Sequence, residues 1–419
     1  MLDDYKPYVF KTADGGKSFT NISGNLPAQA YVHALKEDPK NSNLLYAGTE
    51  LGLYATYDGG KTWIELGMKN LPRVAVHDIV VHPRENDLIL ATHGRGFWIF
   101  DDATAIQQMT ADIAGKDATL FDVRPAIRFT TRFTRYGIGD KPFAGPNPPS
   151  GALITYFLKD KLDAKTTAKI QVLDSMGKVI REVANIPKEK GFNRATWDLA
   201  IEGATPRRQL TPEQLEQFGG GFGFRPRGPE VLPGAYTIKL VIGDKSQEKK
   251  VQVGVDPTVK VTAAELQEQY DFSMKLQEMM SKVNVTLRTL DNAKEQLQQI
   301  DRTVKAQMSD ASKELVTGIA DSIKQIDLEI AKLTGRGGGE AGGGLRGGRA
   351  QISEKLSSLF GNIQGVNAAP TRAQKEFFNE IQPEFQTKVA EVEKFIREQL
   401  PKVNDPLKKH NAPTVIFGK

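Results

Sequence analysis

The chain has 419 residues, of which 39% are hydrophobic and 26% charged, and its formal net charge is +5. This composition is typical of a soluble protein with two or three domains, and the small charge does not indicate a nucleic-acid or anionic-membrane partner. The chain contains no cysteine, which excludes disulfides, thiolate zinc sites and cysteine nucleophiles. No apolar run approaches the roughly 20 residues of a membrane span, and the first residues lack the pattern of a signal peptide.

An eight-residue pattern occurs twice in the first hundred residues. TADGGKSF at residues 12–19 recurs 44 residues later as TYDGGKTW at residues 56–63. The segments around the two copies follow the same offset and read as short strands. A period near 44 with about four strands per repeat is typical of β-propeller blades.

Each copy of the pattern predicts a β-hairpin turn. The Asp carboxylate accepts hydrogen bonds from backbone N–H groups of its own loop, and the glycines supply positive φ angles. The hydroxyl side chains close the loop, and the aromatic residue packs beneath it. We therefore predict a structural rather than a catalytic role for these positions: Thr12, Asp14, Gly16, Phe19, Thr56, Asp58, Gly60 and Trp63.

The repeat fails where a third copy would begin. Asp102 stands where Asp14 and Asp58 stand, but Ala103 and Thr104 replace the two glycines. We therefore expect the repeat to end near residue 105. Closed propellers typically have about four to eight blades or more, whereas about two are visible here, the first without its opening strands. The sequence thus predicts the C-terminal piece of a larger assembly, completed by upstream blades or by a partner protein.

The repeat resembles the Asp-box, also called the bacterial neuraminidase repeat. The phrase ATHGRGFWIFDD at residues 91–102 resembles the last blade of bacterial sortilin-like propeller proteins, which are often labelled glycosyl hydrolases. The resemblance covers about the first 105 residues, and it implies a propeller that binds a peptide or glycan ligand in an exported, periplasmic or secreted protein. Eukaryotic sortilins carry a cysteine-rich module after the propeller, so their receptor function is not carried over to this cysteine-free chain.

Residues 119–256 are predicted to form a β-sandwich that resembles the immunoglobulin-like or fibronectin-like domain following many bacterial propellers. Several of the candidate strands alternate apolar and polar residues. A proline-rich stretch at 141–151 and the segment FGGGFGFRPRG at 218–228 interrupt the pattern. The candidate strands are Ala152–Leu158, Ala168–Leu173, Val179–Val183, Arg194–Asp198, Ala235–Ile242 and Lys249–Val255.

Residues 262–400 are predicted to form a bundle of three or four helices, followed by a tail at 401–419. Thr262 with Glu265 forms a capping-box pattern. One seam of the first helix carries Leu276, Val283, Leu290, Leu297 and Val304, and the other carries Met279, Ala293 and Ile300, with Thr286 as a polar gap. Further helices are expected at 311–333, around Ile352 to Ile363, and from Thr371, where Pro383 is expected to bend the helix.

A glycine-rich loop at 335–349 separates two of the predicted helices. It contains nine glycines and three arginines, a composition shared by RGG segments that contact RNA and by ordinary loops between helices. The low net charge and the lack of interleaved aromatic residues favour the ordinary loop. No nucleic-acid partner is therefore predicted.

Two residues depart from the repeat. In the alignment at an offset of 44, His93 takes the position of Thr49 and Arg95 takes the position of Leu51. Both precede the strand-like segment GFWIF, whose start could face the central channel of a propeller. They are the candidate ligand-binding residues, although a closure contact between the last and first blades is the favoured interpretation. His33 and His77 are equivalent in the repeat, which indicates a role in blade architecture.

No catalytic set is visible in the sequence. Glycoside cleavage uses two carboxylates, or a Tyr nucleophile with an acid in sialidases, which also hold the substrate carboxylate with clustered arginines. A ligand-binding protein is therefore the leading hypothesis, and a sialidase-like glycosyl hydrolase with its catalytic residues in missing upstream blades is the alternative. His77, His82 and His93 have no recognised metal-ligand spacing, and neither a metal nor a cofactor is predicted.

Overall fold

The computed structural model describes residues 4–67, 70–129, 145, 147–184, 186–208, 227–307, 313–334, 350–364 and 366–417. The chain forms two compact units, which confirms the multidomain organisation with β-sheets first and helices after them. The N-terminal unit comprises the described parts of Met1–Ile127, Thr134–Asp198 and Gly234–Gly254, and the C-terminal unit comprises those of Arg128–Phe133, Leu199–Pro233 and Val255–Lys419. The glycine-rich loop at 335–349, residues 141–144 and 146 of the proline-rich stretch and residues 218–226 lie outside the described residues.

The N-terminal unit begins with three antiparallel sheets. They are a hairpin, a four-stranded sheet and a three-stranded sheet, and in each one consecutive strands are neighbours. The hairpin is β1 (Phe10–Lys11) and β2 (Thr20–Asn21); the four-stranded sheet is β3 (Val32–Glu37), β4 (Leu45–Thr49), β5 (Gly52–Thr56) and β6 (Trp63–Glu65); the three-stranded sheet is β7 (Val76–Val81), β8 (Leu88–Thr92) and β9 (Gly96–Phe100).

The four-stranded sheet is covered on both faces. On one face Tyr54 and Trp63 pack with Val9 and Leu26, and on the other Leu53 and its neighbours pack against the three-stranded sheet. Burial on both sides explains why every residue of β4 and β5 is buried, as in strands with near-continuous apolar runs. The two sheets approach closely at Gly48, where a Cβ atom would lie 2.5 Å from the Val76 carbonyl oxygen.

The chain leaves the sheets where the repeat was predicted to end. Asp102 adopts a positive φ of 56°, and its carboxylate accepts a hydrogen bond from the Thr104 amide at the start of α1 (Thr104–Gln108). A second short helix, α2 (Ala111–Gly115), follows. The buried Gln107 side chain donates to the carboxylate of Asp38 and exchanges hydrogen bonds with Asn86. This buried amide network connects α1 to the loops after β3 and β7.

Two further sheets follow in the N-terminal unit. All six predicted strands are found, four of them with shifted ends. The indole of Trp197 in one sheet packs edge-on against Tyr236 in the other, with ring centroids 5.4 Å apart, and this contact brings the two sheets together. A three-stranded sheet has the order β10 (Ala118–Leu120), β12 (Ala152–Leu158), β15 (Gly191–Trp197). A five-stranded sheet has the order β11 (Ala126–Arg128), β19 (Lys245–Val255), β18 (Gly234–Ile242), β13 (Ala168–Leu173), β14 (Val179–Ala184).

The C-terminal unit contains the predicted helices. They are α3 (Ala263–Gln307), α4 (Lys313–Thr334), α5 (Ile352–Gln364) and α6 (Arg372–Glu398), with a two-stranded antiparallel sheet of β16 (Ala200–Glu202) and β17 (Arg227–Glu230). The predicted capping box is present, because the Glu265 amide donates to Thr262 Oγ1 and the Thr262 amide donates to the Glu265 carboxylate. Helix α6 runs through Pro383 as one element.

The predicted apolar seams form the core of this unit. All the apolar heptad positions of α3 named above are buried in one cluster with residues of α4, α5 and α6. The segment predicted as a tail instead forms a 3₁₀ turn at Leu400–Val403 and α7 (Asn404–Lys409), and Leu407 and Val415 are buried in the same cluster. Apolar side chains at these positions explain why the segment packs. Among the described helices, none is long and apolar enough to cross a membrane.

Candidate functional site

The loop between β1 and β2, which we call the Asp14 turn (residues 12–19), is held together by its own side chains. Asp14 Oδ1 accepts hydrogen bonds from the amides of Lys17 and Ser18, each at 2.9 Å. Thr12 Oγ1 donates to the same oxygen at 2.9 Å and accepts from the Gly16 amide at 2.8 Å. The Asp14 carboxylate therefore makes its hydrogen bonds within its own loop.

The loop between β5 and β6, which we call the Asp58 turn (residues 56–63), repeats this geometry. Asp58 Oδ1 accepts from the amides of Lys61 and Thr62 at 2.9 Å, and Thr56 Oγ1 accepts from the Gly60 amide at 2.9 Å. The φ angles of the two glycines are 72° and 99°, close to the 72° and 91° of the Asp14 turn. Positive φ at both positions is the reason for glycine in the pattern.

The aromatic residues that end the two turns differ in burial. Trp63 is 3% exposed, and its indole N–H donates to the Ile22 carbonyl at 2.9 Å. Phe19 is 64% exposed, and its ring lies 4.0 Å from the position of a Cβ atom added at Gly16 of its own turn. The Asp58 turn rests on the preceding segment at residues 22–25, whereas no described residue covers the Asp14 turn in the same way.

The hydrogen bonds of the turns lower the pKa values of their carboxyl groups. Donation by the Ser18 amide and hydroxyl brings the pKa of Asp14 to about 2. Desolvation acts to raise the pKa of Asp58, but hydrogen bonds from Thr62 and Thr56 outweigh it, and this pKa also falls to about 2. Both values lie below the ordinary 3.8.

A depressed pKa makes the contribution of Asp58 to stability depend on pH. The contribution is complete above the ordinary pKa of 3.8 and is lost as the pH falls through the folded value of about 2. We expect Asp58→Asn to lower the unfolding temperature of the N-terminal unit at pH 6, and the difference from wild type to shrink steadily between pH 4 and pH 2. Thermal unfolding followed by Trp fluorescence measures this, and a difference independent of pH would contradict it.

His33 and His77 each lie on a β-bulge. The pairing of β3 with β4 shifts register between Val32 and Ala34, and that of β7 with β8 shifts between Val76 and Asp78. A bulge leaves one residue unpaired and redirects its side chain. The same irregularity at the same position therefore turns both imidazoles out of the regular alternation of their strands.

The turns after β4 and β8 supply a second pair of side chains, and here the structure corrects the sequence alignment. Thr92, not His93, matches Thr49, because each hydroxyl donates to the carbonyl of the glycine that starts the next strand, Gly52 or Gly96. His93 therefore matches Glu50. The His93 amide donates to the Ala75 carbonyl and the Glu50 amide donates to the Tyr31 carbonyl, and these two carbonyls are equivalent in the repeat.

The shift arises from two compensating length differences. The connection from β7 to β8 is one residue shorter than that from β3 to β4, and the turn from β8 to β9 is one residue longer than that from β4 to β5. Arg95 lies in this longer turn, directly before Gly96, as Leu51 lies directly before Gly52. Its side chain is exposed, and its carbonyl accepts a hydrogen bond from the Trp98 indole at 3.1 Å.

The rings of the two sheets form a continuous line, which we call the histidine row (Tyr31, His33, His77 and His93). The successive ring centroids are 4.8, 4.1 and 5.1 Å apart. Tyr5 extends the row, with its ring centroid 6.0 Å from that of Tyr31. The structure thus places one of the two predicted ligand-binding residues, His93, in a group that also contains His33 and His77, which were predicted to be architectural.

Glu50 is the acidic group beside the histidine row. Its Oε2 lies 2.9 Å from His33 Nε2, and the two side chains are 42% and 21% exposed. Hydrogen bonds from His33 and Tyr31 lower the pKa of the Glu50 carboxyl, and the same contact raises the pKa of the Tyr31 hydroxyl. Nitrogen atoms of His33 and His77 and a carboxylate oxygen of Glu50 all lie within 4.8 Å of one another. These three residues are the donor group in the described structure that could hold a metal ion.

The comparisons with known proteins give little beyond this geometry. No family model and no curated protein matches the chain. Among solved structures, an ancestral GH74 enzyme is similar at 11% identity and a TM-score of 0.21, over 61% of this chain and 47% of that one. Extracellular domains of a hybrid two component system and of a one component system, both from B. thetaiotaomicron, match at 12% and 11% identity, each with a TM-score of 0.17. They cover 58% and 60% of this chain but only 29% and 30% of theirs. This chain therefore spans less than half the length of each, and similarity at this level carries no argument about its fold or activity.

Proposed function

We propose that the three N-terminal sheets are successive Asp-box blades of a β-propeller and that the protein binds a glycan chain across the histidine row. One observation carries the proposal. Equivalent bulges and equivalent turns in two adjacent sheets present His33, Glu50, His77 and His93 on one surface. Repetition of side-chain placement from blade to blade is how a propeller builds a binding surface from short strands.

The outer face of the three-stranded sheet supports the propeller assignment. Trp98 and Phe100 pack toward the four-stranded sheet, and the alternation of the strand turns Phe97 and Ile99 to the opposite face. These two side chains are 78% and 59% exposed, and Val80 beside them is 43% exposed. The same face of the four-stranded sheet is covered by the next sheet of the repeat. We propose that a further blade, upstream in a longer chain or in a partner, packs on Phe97 and Ile99.

The chemistry of the row suits a sugar. Aromatic and imidazole rings provide flat apolar surface, and their polar atoms with the Glu50 carboxylate provide hydrogen-bond partners for hydroxyl groups. Arg95, in the turn beside His93, is an exposed cation at the same end of the row. The row has one carboxylate beside it, Glu50, whereas glycoside hydrolysis commonly uses two. Binding therefore fits the described residues better than cleavage, and export of the full protein belongs to the same proposal.

Saturation-transfer NMR with cello-, xylo- and chito-oligosaccharides tests the binding proposal on the full chain. We expect one sugar class to bind, and His93→Ala and Arg95→Ala each to weaken it by about fivefold, because each removes a contact worth about 1 kcal/mol. His410→Ala, which removes a histidine from the C-terminal unit, is the matched control and should bind as wild type does.

Three outcomes would count against the proposal. One is the absence of binding in every sugar class, and another is binding that His93→Ala and Arg95→Ala leave unchanged. The third is binding of peptides from a random hexapeptide library in place of sugars, which would keep the histidine row as a site but overturn the glycan assignment.

A further inference from the structure

We infer that His33, Glu50 and His77 bind a divalent transition-metal ion of the zinc type. The inference goes beyond glycan binding and does not depend on it. It also departs from the sequence analysis, which considered His77, His82 and His93 and predicted no metal. The structure assembles a different set, with two ligands from the four-stranded sheet and one from the three-stranded sheet.

The spacing of the donor atoms is close to that of a metal site. Ligands about 2.1 Å from a zinc ion in tetrahedral geometry lie about 3.4 Å from one another. His33 Nε2 and Glu50 Oε2 are already 2.9 Å apart, and all three donor atoms lie within 4.8 Å. The His33 and His77 ring centroids are 4.1 Å apart. Side-chain rotations alone can therefore bring the three atoms around one ion, without a change in the strands.

The types of donor select the class of metal. Two imidazole nitrogens and one carboxylate oxygen suit zinc and neighbouring transition metals, whereas Mg²⁺ and Ca²⁺ prefer sites made of oxygen ligands only. Three protein ligands leave a coordination position for water or for a bound molecule. The His93 ring lies beside His77 but outside the donor group, so we assign it to the surroundings of the ion.

The residues around the donors are placed as supporting partners of a metal site. The Tyr31 hydroxyl interacts with the Glu50 carboxylate and lowers its pKa, and polar neighbours of this kind orient the ligands of metal sites. The bulges at His33 and His77 turn both imidazoles to the same side of two adjacent strands. An ion at this point would link the two sheets, so its binding would also stabilise the N-terminal unit by mass action.

Calorimetric titration of Zn²⁺ into the full chain, freed of metal with a chelator, tests the inference. We expect one zinc ion per chain, little binding of Mg²⁺ or Ca²⁺, and a rise in the unfolding temperature with Zn²⁺. His33→Ala, His77→Ala and Glu50→Gln should each weaken zinc binding by about 100-fold, since losing even a residue that only holds a metal ligand in place costs about 10-fold to 100-fold. Tyr31→Phe should weaken it by about 10-fold. His93→Ala is the matched control and should stay within about threefold of wild type.

The NMR resonances of the histidine rings give a second measurement, which does not require substitution of the metal-binding residues. The chain has five histidines, and Zn²⁺ should shift the ring nitrogen signals of His33 and His77 while leaving those of His82 and His410 in place. Zinc that shifts only His82 or His410, that binds the three ligand variants as tightly as wild type, or that does not bind would overturn the inference. Because His93→Ala is expected to weaken glycan binding and spare zinc binding, failure of one proposal is distinguishable from failure of the other.

Discussion

Gly60→Ala is expected to destabilise the N-terminal unit by about 2–5 kcal/mol, as the sum of two effects. The first is backbone strain, because Gly60 has a φ of 99°, where a residue with a Cβ atom pays about 1–2 kcal/mol. The second is a collision, because the new Cβ would lie 2.7 Å from the Cβ of Ile22 and 2.9 Å from its carbonyl oxygen. Overpacking of this kind costs about 1–3 kcal/mol.

Gly16→Ala is the matched control for this change. Gly16 occupies the same position in the Asp14 turn with a φ of 91°, but its added Cβ would meet only the Phe19 ring, at 4.0 Å. It should therefore cost only the strain, about 1–2 kcal/mol. The difference between the two variants measures how tightly the Asp58 turn packs on the segment before it.

Denaturant unfolding of the full chain can follow the N-terminal unit alone. All three tryptophans, Trp63, Trp98 and Trp197, belong to that unit, so the midpoint of the fluorescence transition reports on it. We expect the order wild type, Gly16→Ala, Gly60→Ala from most to least stable. Equal losses for the two alanine variants would show that the contact at Ile22 contributes nothing and that strain alone explains the pattern of glycines.

Local chemistry is the part of the fold that the sequence predicts well. The hydrogen bonds of the Asp14 and Asp58 turns follow from residue types at fixed spacing, and so does the capping box at Thr262. The heptad positions of α3 are buried because a period near 3.5 residues places them on one face of the helix. The strands with alternating patterns are found where that alternation predicted them.

Features that depend on neighbouring elements are the part that the sequence does not predict. The burial of Trp63 and the exposure of Phe19 differ because only the Asp58 turn rests on an earlier described segment. The amide network of Gln107 joins residues up to 69 positions apart. Gln107, which stands where the repeat has Phe19 and Trp63, is thus a buried structural residue. An alignment of the repeats does not reveal this role.

The candidate site was only half predicted for the same reason. His93 departs from the repeat, but a constant offset of 44 pairs it with Thr49 and conceals its match with Glu50. The recurrence of His33 and His77 in the sequence indicates an architectural role. Because His33 and His77 lie at the same bulge of β3 and β7, their imidazoles lie side by side. A polar residue that recurs at the start of the first strand of each sheet therefore indicates a shared surface.

In the C-terminal unit, Arg128→Ala is expected to cost about 3–5 kcal/mol, the range found when one partner of a buried ion pair is removed. The Arg128 side chain is 2% exposed and lies 2.9 Å from the Glu230 carboxylate. It also donates to the Val231 carbonyl and to the Gln269 side chain on α3. The variant would leave the Glu230 carboxylate, the Val231 carbonyl and the Gln269 side-chain oxygen without this donor. These acceptors stay desolvated, so the loss of folding free energy is large.

Two control variants separate the buried pair from ion pairs in general. Arg372→Ala removes an exposed pair with Glu376 in the same unit, whose side chains are 91% and 56% exposed. Exposed pairs contribute about 0–1 kcal/mol, so this variant should unfold close to wild type. The double variant Arg128→Met with Glu230→Leu removes both charges and should recover at least about 2 kcal/mol of the loss, because no uncompensated buried charge remains.

Far-UV circular dichroism follows these variants, because the long helices of the described structure belong to the C-terminal unit. Recovery in the double variant would show that the pair specifies where β17 and Arg128 attach to α3 rather than adding net stability. Arg227 also donates to Glu230, at 2.7 Å, so Glu230→Leu alone should cost less than Arg128→Ala. A double variant as unstable as Arg128→Ala would contradict this, and the loss would then come from the hydrogen bonds to Val231 and Gln269 rather than from charge.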